Sequence, residues 1–94
     1  MYQITVTLGL KTKNGVDIHP AVVKDHLARR FDGLSLTWGE GLWLGQWEPC
    51  YTLMIGYSSP EEYEAVIDKL LSLARATNQE AVYLQGVGVL PVPD

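Results

Sequence analysis

Two segments of this chain alternate strictly between apolar and polar residues, and this alternation constrains the fold more than any other feature. Apolar side chains occupy every even position of residues 2–10 and every odd position of residues 51–57. A period of two is typical of a strand with one buried face and one exposed face. A shorter alternation at residues 34–38 predicts a third strand, and residues 81–85 predict a fourth. The chain is therefore expected to form a sheet that needs a cover on one face.

Two segments with helical spacing can provide that cover. Pro20 fits the first turn of a helix that Asp17 or His19 caps, and Gly33 is expected to end that helix in the left-handed conformation. The second helix begins at the sequence Ser-Pro-Glu-Glu of residues 59–62, which has the pattern of a capping box, and Asn78 ends it. The apolar faces consist of Val23, Leu27 and Phe31 in the first helix, and of Tyr63, Val66, Ile67, Leu70, Leu71 and Ala74 in the second.

The order β-α-β-β-α-β predicts an α+β fold of the ferredoxin-like type, a sandwich with an antiparallel sheet and both helices on one face. Residues 1–86 are expected to form this single domain, and residues 87–94 an apolar tail rich in valine and proline. The prolines of this tail exclude a central strand there. Exposure of its apolar side chains to water would be unfavourable, so we expect the tail to pack on its own domain or to form an oligomer interface. The residues concerned are Val87, Val89, Leu90 and Val92.

Size and composition exclude several classes of protein. With 94 residues the domain is marginal on its own, which favours a homo-oligomer and most simply a dimer. One cysteine cannot form an internal disulfide or supply repeated zinc ligands, so no metal and no cofactor are predicted. There is no secretory signal and no apolar run long enough to span a membrane, which predicts a cytoplasmic protein. A net charge of −4 disfavours direct binding of nucleic acid and favours a basic protein partner.

Several local strings, in the order found here, give the chain a resemblance to a known family. They are Leu-Gly-Leu at residues 8–10, Arg-Phe-Asp-Gly-Leu-Ser at 30–35, Gly-Gln-Trp-Glu at 45–48 and Asn-Gln-Glu-Ala-Val at 78–82. The chain resembles the short proteins grouped as a domain of unknown function, DUF3574, although it lacks their N-terminal export segment and adds the Val/Pro tail. The resemblance implies an α+β fold and no particular chemistry.

The densest unusual feature is a cluster of aromatic and acidic residues within 14 positions. The candidate binding residues are Trp38, Trp43, Trp47, Glu48 and Tyr51. The tryptophans can complete a small core, form an interface with a protein or a second subunit, or stack on a ligand in a pocket. The irregular segment of residues 42–49, with its glycines and proline, suggests a wide hairpin.

No coherent catalytic set is visible in the sequence. The leading expectation is a non-enzymatic binding protein that occupies a protein partner or sequesters a small-molecule ligand, as inhibitors made by mobile elements do. The alternative is a small dimeric α+β barrel enzyme that uses His26 or Glu40 as an acid or base in a cleft. His19 and His26 lie seven residues apart, too far along one helix to share a metal ion.

Overall fold

The computed structural model describes residues 1–85 and 88–93, with residue 89 described by its backbone alone. In chain order the elements are β1 (Tyr2–Gly9), α1 (Pro20–Arg30), β2 (Ser35–Trp43), β3 (Gln46–Tyr57), α2 (Pro60–Ala76), β4 (Ala81–Leu84) and β5 (Gly88–Pro91). The strands form one antiparallel sheet in the order β2-β3-β1-β4-β5. An α+β fold with two helices is confirmed, and the arrangement is compatible with the ferredoxin-like type, with β5 added at one edge. Neither helix in the described ranges is long and apolar enough to cross a membrane.

The central pair of strands, β1 and β3, aligns the two alternating segments face to face. Its register extends from Tyr2 opposite Tyr57 to Gly9 opposite Cys50. The alternation then places one set of side chains toward the helices, where they are buried with residues of α1 and α2 in a single core. From the two strands these buried residues are Ile4, Val6, Leu8, Tyr51, Leu53 and Ile55. The predicted half-buried character of both strands is confirmed.

Helix α2 has a complete set of terminal hydrogen bonds. The Ser59 hydroxyl accepts a hydrogen bond from the Glu62 backbone N–H at 3.1 Å, and the Glu62 carboxylate accepts one from the Ser58 backbone N–H. At the other end Asn78 has a positive φ of 56°, and the backbone N–H of Gln79 donates to the Ala74 carbonyl. This is the Schellman arrangement, which satisfies carbonyls that the helix leaves unpaired. Both predicted ends of the helix are confirmed.

Helix α1 begins as predicted and ends differently. The His19 Nδ1 atom accepts a hydrogen bond from the Ala21 backbone N–H at 3.1 Å, so the histidine is the N-cap. The helix ends at Arg30 because Phe31 already has extended backbone angles. Gly33 is not among the residues with positive φ, so the prediction of a left-handed glycine there was wrong. The chain leaves α1 directly in an extended conformation and needs no left-handed residue.

The segment between the second and third predicted strands is a regular hairpin rather than a wide one. Strands β2 and β3 pair continuously to Trp43 opposite Gln46, and only Leu44 and Gly45 form the turn. Both turn residues have positive φ, 49° and 77°, as a type I′ turn requires. Pro49 is accommodated within β3 opposite Glu40. The prediction of a wide hairpin was wrong because a two-residue turn accounts for the whole chain reversal.

Most of the apolar tail becomes an edge strand. Residues 88–91 form β5, which pairs with β4 at the rim of the sheet, where proline is tolerated. Leu90 and Val92 are partly buried against the core of their own chain. Val87 and the side chain of Val89 lie outside the described residues. Participation of this tail in an oligomer interface stays a prediction.

The Ser59 cap can be tested by substitution. Ser59→Ala should lower the free energy of unfolding by about 1 kcal/mol, because it removes the acceptor for an N-terminal backbone N–H of α2. Ser58→Ala is the matched control, since Ser58 is exposed and contributes its backbone N–H, which alanine keeps. Urea denaturation measures both. Equal losses in the two variants would contradict the assignment of the cap.

Candidate functional site

The sheet face that the helices do not cover is lined mainly by small hydroxyl-bearing and polar residues. Its residues include Gln3, Thr5, Thr7, Ser35, Thr37 and Thr52, together with the apolar Met54. Glycines occupy the same face at three positions near the β2–β3 hairpin: Gly9, Gly39 and Gly41. The middle of this face therefore carries mainly small polar side chains, and the glycines leave room beside the hairpin.

Near the turn of the β2–β3 hairpin, Trp43 contacts Tyr83 of β4, which lies three strands away on the same face of the sheet. The Trp43 ring lies 5.6 Å from the Tyr83 ring, centroid to centroid, in an edge-to-face arrangement with an interplanar angle of 62°. Strands β3 and β1 separate the strands of these two residues, so in a flat sheet their backbones would be about 14 Å apart. The two rings meet because both side chains are long and because the twisted hairpin curves over the open face of the sheet.

This contact borders a cavity of about 350 Å³ on the open face. A second cavity of about 360 Å³ adjoins it, since Thr7 and Tyr83 line both. Each volume is within the range of small-molecule sites. The first cavity is lined by Thr7, Gly9, Gly41, Leu42, Trp43, Glu48, Pro49, Cys50 and Tyr83.

One carboxylate gives the first cavity a negative charge. The Glu48 Oε1 atom lies 4.0 Å from the Lys11 ammonium nitrogen, at the limit of an ion pair, and the side chain remains partly exposed. Burial raises the pKa of Tyr83, and the charges of Glu80 and Glu48 raise it further. The phenol is therefore neutral at physiological pH and can donate or accept a hydrogen bond. The site combines two aromatic rings, one carboxylate and several hydroxyl groups.

The structure divides the predicted aromatic cluster among three environments. Trp43 and Glu48 line the open-face cavity, whereas Trp38 and Trp47 line a different cavity beside His19 and Pro20. Tyr51 is 3% exposed and belongs to the core.

The tryptophans themselves do not complete the core. Trp38, Trp43 and Trp47 are 55%, 48% and 67% exposed. The interpretation of the tryptophans as core residues was wrong. A long regular hairpin extends beyond the area that the two helices cover, so its aromatic side chains stay accessible.

The two candidate acid/base residues do not line the open-face cavity. His26 is on α1, where its Nδ1 atom is 3.0 Å from the Arg30 guanidinium. Burial lowers its pKa, and the charges of Arg30 and Arg29 lower it further, so the ring is neutral at physiological pH. Glu40 is exposed on β2 and does not line this cavity. Among the described residues, no group of three or more His, Cys, Asp or Glu side chains could hold a metal ion.

Sequence reasoning missed Thr7, Cys50 and Tyr83 as residues of the cavity. The alternation does place Thr7 on the open face, and Tyr83 faces the same way because it pairs with Thr7. What no local pattern indicates is that the hairpin curves far enough to bring Trp43 against Tyr83. That contact joins residues 40 positions apart.

Comparison with known proteins identifies the fold but no family. No protein-family model and no curated protein matches the chain, so the resemblance to DUF3574 stays a prediction. A solved structure of a phage SAM lyase in complex with S-methyl-5′-thioadenosine superposes with a TM-score of 0.73 at 20% identity, over 95% of this chain and 88% of that one. A phage SAM lyase in the apo state gives 0.64 at 24% identity, over 97% and 85%.

These structures overturn the leading functional expectation. A non-enzymatic binding protein or inhibitor was predicted because no catalytic set was visible in the sequence. The two solved structures named above, which share the fold over nearly the full length of this chain, are of an enzyme. The alternative expectation, a small α+β enzyme, agrees better with this likeness.

Cys50 offers a test of the geometry of the cavity floor. Burial raises the pKa of its thiol, and the charge of Glu40 raises it further. The thiol is therefore protonated at neutral pH, and only the thiolate reacts with iodoacetamide. Native protein should be alkylated at Cys50 much more slowly than protein unfolded in urea. Equal rates in the two states would contradict the burial of this side chain.

Proposed function

We propose that this protein is an enzyme that cleaves S-adenosylmethionine as a lyase, with its active site in the open-face cavity. The observation that carries the proposal is the shared fold with SAM lyase over 95% of the chain, one such structure holding S-methyl-5′-thioadenosine. The cavity supports it independently, since its groups suit the parts of this substrate. Fold likeness by itself does not determine function, so the argument depends on that chemistry.

The charge and lining of the site fit a cationic nucleoside. S-adenosylmethionine carries a sulfonium and an ammonium against one carboxylate, a net charge of +1, and this protein carries −4. Opposite net charges favour encounter. The rings of Trp43 and Tyr83 offer apolar surface for adenine, and the hydroxyls of Thr7 and Thr52 offer partners for the ribose.

Release of S-methyl-5′-thioadenosine requires cleavage of the bond between sulfur and the γ-carbon of the methionine part. In the reaction proposed here the substrate's own carboxylate oxygen attacks that carbon. One C–O bond forms, one C–S bond breaks, and its electron pair passes to sulfur, which becomes a neutral thioether. The other product is a five-membered lactone. No proton, oxidant or water molecule enters this step.

This reaction makes modest demands on the protein's residues. An anion and a cation neutralise each other in the transition state, so surroundings poor in water favour the reaction. The methionine chain must also be folded so that its carboxylate faces the γ-carbon. We assign this positioning to Glu48, whose carboxylate can bind the substrate ammonium with charge-assisted hydrogen bonds. No general base is needed, which accounts for the lack of a recognisable acid/base set in the sequence.

Turnover of S-adenosylmethionine tests the proposal. Purified protein should convert it to S-methyl-5′-thioadenosine, and chromatography should detect the lactone or its hydrolysis product. Glu48→Gln should lower kcat/KM by about 10- to 100-fold, the equivalent of one charge-assisted hydrogen bond. Asp68→Asn is the matched control, because Asp68 is exposed on α2 and remote from the cavity, and its activity should be unchanged. No product from the wild-type protein, or full activity of Glu48→Gln, would contradict the proposal.

We also propose that the protein is a homo-oligomer whose hairpin contacts a second copy. Leu42, Leu44 and Trp47 are all more than half exposed at or near the hairpin turn. Leu44 holds a left-handed backbone, which is unfavourable for leucine by about 1 kcal/mol, where asparagine or glycine would be unstrained. An exposed leucine kept in a strained turn favours an interaction over a purely local role.

Light scattering at micromolar concentration measures this assembly. The wild-type protein should have at least twice the monomer mass of 10.4 kDa. The mass of the double variant Leu44→Asn, Trp47→Ser should shift toward that of the monomer. Val22→Ser, which replaces an exposed apolar residue on α1, should leave the mass unchanged. A monomeric wild-type protein would overturn the proposal, as would equal dissociation of the control.

A further inference from the structure

Three tyrosines from distant parts of the sequence form one aromatic cluster at the other end of the sheet. The Tyr2 and Tyr57 rings stack with centroids 5.6 Å apart and an interplanar angle of 26°. The Tyr63 ring meets Tyr57 edge-to-face at 5.2 Å. Tyr57 and Tyr63 pack partly on the core, but Tyr2 is 66% exposed. Core packing therefore accounts for two of the rings and leaves the third accessible.

The cluster borders a cavity of about 660 Å³. Its described lining contains one ionisable acid, Glu64, and no lysine, arginine or histidine. The full set is Tyr2, Tyr57, Ser58, Ser59, Pro60, Tyr63 and Glu64. An apolar aromatic wall with a single carboxylate is suited to a ligand that carries a positive charge within an apolar envelope.

The nearby start of α2 does not offset this preference. Its first turn is capped by the Ser59 hydroxyl and by the Glu62 carboxylate, which bonds the Ser58 backbone N–H. Glu61 and Glu62 add further negative charge to the same turn. These carboxylates oppose the positive end of the helix dipole.

This cavity is separate from the proposed active site. Tyr2 and Gly9 lie at opposite ends of β1, seven residues apart, or about 24 Å along a strand. Gly9 lines the open-face cavity and Tyr2 lines this one. The two cavities have no lining residue in common.

We propose that the tyrosine cavity binds a small organic cation of the methylated ammonium or sulfonium class. The electron-rich faces of the rings attract the cation, its methyl groups contact the apolar wall, and the Glu64 carboxylate balances the charge. Hard inorganic cations such as Ca²⁺ and Mg²⁺ are disfavoured, because the described lining offers them one carboxylate, Glu64, beside a wall of aromatic rings. Anions are excluded by the negative charge of Glu64.

Choline and its neutral isostere 3,3-dimethylbutan-1-ol test the proposal directly. The two molecules share shape and hydroxyl group, and they differ in charge at the tetrahedral centre. Titration followed by NMR of the tyrosine ring resonances should give saturable shifts with millimolar choline. The neutral alcohol should bind at least about 10-fold more weakly.

Substitutions in the tyrosine cavity test whether choline binds there. Tyr2→Leu and Glu64→Gln should each weaken choline binding by about 2- to 5-fold. Both residues are exposed, and thermal unfolding checks that the variants fold. Glu48→Gln should leave choline binding unchanged, so this result is separable from the outcome of the lyase assay. Equal binding of the neutral alcohol, the absence of saturable shifts, or shifts confined to Tyr83 would overturn the proposal.

Discussion

The pairing of β1 with β3 is the interaction on which the rest of the structure depends. Eight consecutive residue pairs fix the register, and a slip by one residue would exchange the core face for the open face along both strands. With the observed register Val6, Leu8, Leu53 and Ile55 meet the helices. The same register positions the tyrosine cavity at one end of the strand pair and the open-face cavity at the other.

The long β2–β3 hairpin turns an ordinary sheet face into a site. Its pairing extends to Trp43 opposite Gln46, well beyond the area that the helices cover. Curvature brings Trp43 to Tyr83, and Glu48 lines the cavity beside them. The proposed reaction, in which the substrate supplies its own nucleophile, needs a shaped binding surface more than it needs ionisable groups. The fold, the negative net charge and the small number of ionisable groups in the cavity are all compatible with the proposed reaction.

Much of the fold was predictable because its signals are local. The alternation in β1 and β3 and the Ser59 and Asn78 helix ends depend on neighbouring residues only. The hairpin was less predictable, since Pro49 and the glycines suggested irregularity, whereas Leu44 and Gly45 complete a two-residue turn. Trp43 and Glu48 were identified as binding residues from their types. Tyr83 was not identified, because its place at the cavity depends on a contact with Trp43, 40 positions earlier in the sequence.

The proposed lyase activity requires the open-face cavity to bind the nucleoside part of the substrate. NMR shift mapping with S-methyl-5′-thioadenosine measures this binding. We expect saturable changes at the backbone amides of Thr7, Gly9 and Gly41 and at the Trp43 indole N–H. We expect no change at Val23 and Leu27 in α1. Changes confined to α1, or no saturable change at all, would contradict the proposal.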